Sequence, residues 1–80
     1  MITPTTMFVI YSKDNFEHKG FFVVRKWKVY PNTLEPIDPP IGLFETLPEA
    51  RKSIPVQFIR IARDISDDPT IVESYICKKK

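Results

Sequence analysis

Two short stretches constrain this chain more than anything else in it. Residues 7–11 read MFVIY and residues 21–24 read FFVV, apolar at every consecutive position. Runs of β-branched and aromatic residues this short read as strands. Successive strand side chains point to opposite faces. Both strands are therefore apolar on both sides, and something must lie against each face.

One helix is available to do that. In Thr46-Leu47-Pro48-Glu49, Thr46 is placed to accept from the N–H of Glu49, while the Glu49 carboxylate reaches back to the N–H of Thr46. Pro48 falls in the first turn, where its missing donor costs nothing. Leu47, Ala50 and Ile54 then make one apolar stripe along about two turns. Pro55 ends the helix, because the residue before a proline is pushed out of helical space. A helix this short covers part of one sheet face and none of the other.

The remaining elements follow from alternation and turn chemistry. Residues 21–30 form the longest strand, with Phe21, Val23, Arg25, Trp27 and Val29 on one face and Phe22, Val24, Lys26, Lys28 and Tyr30 on the other. Residues 31–40 (PNTLEPIDPP) hold four of the eight prolines; since proline cannot donate to a ladder, they read as a stiff extended loop rather than a strand. Residues 41–45 add a short strand. Residues 56–62 and 70–77 alternate as two more, joined by an aspartate-rich turn. The expected order is β-β-(β)-α-β-β, an α+β fold with a small, mostly antiparallel sheet and one short helix on one face. Eighty residues are enough for a single core, so residues 1–80 are expected to be one domain, with 1–5 a loose lead-in and 78–80 a frayed basic tail.

Composition narrows the function classes. The formal charge is +2, too small to argue for nucleic acid by itself. Without Lys78, Lys79 and Lys80 the balance is close to neutral. A single cysteine, Cys77, rules out an internal disulfide framework and a cysteine-rich zinc site. No signal-like leader and no membrane-length apolar run is present, so a cytoplasmic protein without a membrane partner is expected. The lysines that follow Cys77 are not the aliphatic residues a prenylation motif needs.

The stretch KGFFVVRKWKVY, residues 19–30, partly resembles the strand motif of the RNA-recognition fold. Lys19, Gly20, Phe21 and Val24 match it. Phe22 replaces a small residue, Val23 an aromatic, and Lys26 the last stacking ring, so two of the three base-stacking positions are lost. That fold also needs a helix before this strand, and nine residues cannot supply one. The likeness is local. What survives is a basic strand face, Lys26 and Lys28, as a candidate nucleic-acid contact. Lysine stems covering the outside of a sheet account for the same residues without nucleic acid.

Catalytic and metal chemistry find little support. His18 is the lone histidine, in a polar loop with Asp14 and Glu17, and a metal site wants three ligands on a rigid frame. Asp64, Asp67 and Asp68 lack the alternate spacing and the glycine of a calcium loop. Only Gly20 and Gly42 are glycines, which excludes phosphate-cradling loops. No serine or cysteine has a histidine partner at a suggestive position. We expect no catalytic residues, no metal and no cofactor, hence no enzyme.

The excess apolar surface points instead to a protein contact. A second copy of the chain is the simplest partner, giving a homodimer. Phe21, Arg25, Trp27 and Tyr30 are the expected anchors, because aromatics and arginine dominate such contacts. The expected function is a small protein-interaction or regulatory module, with weakly basic nucleic-acid binding as the alternative.

Overall fold

The computed structural model describes residues 5–29, 34–37, 39–61 and 69–77. The lead-in at 1–4, Tyr30, the aspartate-rich turn at 62–68 and the lysine tail lie outside the described residues. The described elements are β1 (Thr5–Tyr11), β2 (Phe22–Val29), β3 (Leu34–Pro36), β4 (Gly42–Phe44), α1 (Leu47–Lys52), β5 (Phe58–Ile61) and β6 (Ile71–Cys77). All six strands join one antiparallel sheet in the order β3-β2-β1-β6-β5, with β4 also on β2. This is the small α+β fold expected, with a tight β1–β2 pair at one end of the chain and a β5–β6 pair at the other.

β2 has two partners in tandem on its outer side. β4 pairs along Phe22–Val24 and β3 along Trp27–Val29. Between them the N–H groups of Ile37 and Ile41 donate to the carbonyls of Lys26 and Val24, at 2.9 and 2.7 Å. Residues 34–36 are thus a strand where the proline content argued for a loop. The reason is their position at an edge: an edge strand has only one side to pair, so Pro36 across from Trp27 costs no ladder bond on the open side.

The helix is shorter than its apolar stripe. Thr46 caps it, its Oγ1 accepting from the N–H of Glu49 at 3.4 Å, and the Ser53 N–H closes the other end on the Ala50 carbonyl. Ile54 falls just past the last turn yet is still buried with Ala50. These two residues join Phe8, Ile10 and Val24, with Phe22, Phe44, Leu47, Phe58 and Tyr75 around them. Phe8 meets Phe58 edge to face, 4.6 Å between centroids, a favourable aromatic geometry.

The other face has no helix and is nevertheless filled. Met7, Val9 and Trp27 are buried there against Tyr11, Val29, Ile61 and Ile71. The expectation of a bare central face is corrected on this point. Tyr11, Val29, Ile61 and Ile71 pack against these three residues, so the chain shelters its own middle strands. Among the described residues no helix is long and apolar enough to cross a membrane.

Candidate protein-contact site

The loop from β1 to β2 is built around one side chain. Asn15 is buried, and its amide nitrogen donates to the carbonyls of Ser12, Phe21 and His18 at 2.7, 3.0 and 3.3 Å. Its Oδ1 accepts from the His18 N–H at 2.7 Å. The Gly20 N–H closes on the Lys13 carbonyl at 2.9 Å, and the Ser12 N–H ties the loop to Thr70 at 2.7 Å. Gly20 has φ +98 with open space where a Cβ would stand, so the backbone angle rather than crowding calls for glycine. The loop therefore has a set shape. It nevertheless leaves Phe16 94% exposed at its outer turn.

Beneath the loop lies Arg25. Its guanidinium donates from Nη1 to the Ile37 carbonyl at 3.3 Å and from Nη2 to Glu17. The two side chains differ sharply in exposure, 6% for Arg25 and 67% for Glu17. Together they form part of a cleft of about 260 Å3, walled by Tyr11, Phe16, Val23 and Pro36. The Trp27 Nε1–H donates to Tyr11 Oη at 3.1 Å, so the single tryptophan touches the wall of the cleft from behind.

The four expected anchors do not form one exposed patch. Arg25 and Trp27 are buried inside the chain, Trp27 at 8%, and Phe21 is partly exposed. Tyr30 lies outside the described residues. Lys26 and Lys28 are exposed on the helix side of β2, the face away from Arg25. Pairing sets Lys26 in one cross-strand row with Phe8, Tyr75 and Arg60. His18 contributes through its backbone. Among the described residues no three metal-ligating side chains gather.

A second buried charge sits on the helix side. Glu73, its side chain 5% exposed, accepts from Arg51 Nε and Nη2 at 3.0 and 2.6 Å, from Tyr75 Oη at 2.6 Å and from Arg60 at 3.4 Å. The Arg51 hydrogen bond holds its carboxyl below the usual range, against the opposing pull of burial, with Tyr75 and Arg60 adding to the effect. Burial, and then the neighbouring carboxylate, push the Tyr75 hydroxyl up to about 12. A carboxylate satisfied this fully by its own chain has no lone pair left for a substrate. It is a clamp between α1, β5 and β6.

Sequence reasoning passed over Ile59 and Ile76. They are cross-strand neighbours at the β5 edge, exposed at 44% and 37%, in line with Met7, Trp27 and Pro36 on the face opposite the helix. Among the described strands β5 pairs with β6 alone. Alternation placed both isoleucines on that face, but sequence alone did not reveal β5 as an outer strand. Compared with known proteins, the chain matches no family model, no curated sequence and no solved structure, so its role has to be argued from its own surface.

Proposed function

We propose that this chain is a small non-enzymatic interaction module that docks along β5, and that its first partner is a second copy of itself. The observation that carries the reading is the half-exposed Ile59–Ile76 pair beside a strand that, among the described strands, has a neighbour on one side only. An open edge offers unpaired backbone groups to another strand, and the apolar pair beside it supplies burial.

Charge selects the register. An antiparallel pairing that centres Arg60 on its own copy sets two guanidinium groups face to face, which is unfavourable. Shifting the centre by one residue brings Ile59 opposite Ile59 of the second copy. That register also lays Arg60 across from Phe58, a cation on an aromatic ring. The isoleucine row then runs unbroken through both chains. A contact of four residues is small, below about 1,200 Å2, so a weak, concentration-dependent dimer is expected.

Sedimentation over a wide concentration range tests this. Mass should rise from one chain toward two, and Ile59→Lys should hold it at one chain without loss of the fold. A one-chain mass at the highest concentration reached overturns the reading.

A second reading is favoured by Lys26 and Lys28, exposed two residues apart on one face of β2. Such a pair of cations can follow the phosphate backbone of a nucleic acid. Retention on single-stranded DNA that falls with added salt supports it; retention insensitive to salt, or none, removes it.

A further inference from the structure

The geometry points to the Arg25 cleft as a binding site for a carboxylate carried next to a flat apolar group, with Glu17 as the intramolecular carboxylate that such a ligand displaces. This goes beyond the β5 contact and uses different residues, on the same sheet face but toward its other edge.

Three observations meet in one place. The first is the guanidinium, with a side chain only 6% exposed. Arginine presents a planar fork that matches a carboxylate in a paired, directional way. The second is one of its partners, Glu17. Glu17 meets that fork from solvent, being 67% exposed, so water and salt weaken its hold. A carboxylate entering the cleft makes the same bonds with less water around them, where they are stronger. Arg25 stays paired throughout the exchange.

The third observation is Phe16. Single exposed apolar residues are ordinary on a surface. Phe16, however, sits on a loop whose shape Asn15 sets through four hydrogen bonds, at the rim of the same cleft. A ring laid between Phe16, Val23 and Pro36 covers that apolar surface while its acid reaches Arg25. The volume of about 260 Å3 suits one aromatic ring with a short acidic arm, and is small for a larger ligand. Both requirements, a flat apolar body and an adjacent carboxylate, come from side chains that face one space.

The probes are phenylacetate, its neutral counterpart phenylacetamide, and the peptide N-acetyl-Gly-Gly-Phe. The reporter is the indole N–H resonance of Trp27, which is bonded to the cleft wall through Tyr11. Phenylacetate should shift that resonance saturably, and phenylacetamide should bind at least about tenfold more weakly. Glu17→Gln removes a competing carboxylate and should tighten phenylacetate by about three- to tenfold. Phe16→Ser should weaken it. Both variants alter exposed side chains and leave the fold intact. Tighter binding of the peptide than of phenylacetate assigns the acid to a chain terminus; weaker binding assigns it to a free small acid. The proposal is overturned if phenylacetate leaves the resonance unmoved, if phenylacetamide binds as well as the acid, or if Glu17→Gln fails to tighten binding. None of these outcomes bears on the mass of the chain in solution, so this site and the β5 contact stand or fall separately.

Discussion

Among the described residues the two faces of the sheet each bury one charge, and they do it with opposite polarity. On the helix side a carboxylate, Glu73, is held by arginines that reach in from the surface. On the other side a guanidinium, Arg25, is met by a glutamate that reaches in from the surface. The Glu73 cluster is closed: Arg51, Arg60 and Tyr75 between them occupy both oxygens. The Arg25 pair borders a cleft. Equal burial of the inner charge thus goes with unequal access. One arrangement ties elements together, and the other leaves room for a visitor.

The largest test of this contrast concerns whether the second face is a true interior. Trp27→Ala removes a ring that packs on Met7 and Val9 and should cost about 3–5 kcal/mol of stability by denaturant unfolding. A cost below about 1 kcal/mol means that face is loosely packed, and the burial of Arg25 loses its meaning.

Next comes the clamp. Glu73→Gln removes the negative charge that faces both arginines and turns an N–H toward the Arg51 guanidinium; a loss of about 1–3 kcal/mol is expected at neutral pH. Because the folded-state carboxyl is held below its usual value, its contribution is present above the unfolded pKa and fades as pH falls through the folded one. Wild type and Glu73→Gln should therefore converge in acid. A constant gap at all pH values assigns the effect to shape instead of charge.

Tyr75 gives the alkaline counterpart. Its folded pKa is raised from 10.0 to about 12, so its contribution is whole below the unfolded value and is lost as pH climbs toward the folded one. Tyr75→Phe should flatten the decline in stability between those limits, read as the thermal midpoint against pH. The smallest effect belongs to the open pair. Glu17→Ala should change stability by only about 0–1 kcal/mol, since an exposed partner is well screened. A larger loss makes the Arg25 pair a second clamp and erases the difference between the faces.

Much of the architecture was legible because it rests on local rules. The Thr46 cap, the stop at Pro55 and the alternation of residues 7–11 need no knowledge of the rest of the chain. β3 was missed because the proline argument counts donors without knowing which side of a strand is used. Residue type alone points to Arg25 and Trp27 as surface anchors. Whether they lie inside depends on what folds over them, the segment at Ile37 and the loop at Glu17 for Arg25 and Tyr11 for Trp27, which is a fact of packing. Phe16 stood out in principle, a lone aromatic among polar neighbours. That Asn15 gathers three carbonyls beneath it emerges only once the loop is folded.

The uneven edges of the sheet have a further consequence. β2 is flanked by an outer strand broken at Pro39 and Pro40 and carrying Pro36, imino residues that offer no hydrogen to an incoming chain. β5, by contrast, carries no proline along Phe58–Ile61. If two copies join at β5 by a two-fold axis, as proposed, the stretch of each remaining rim beside β3 carries proline, which disfavours a further strand there and favours a finite pair over a fibre.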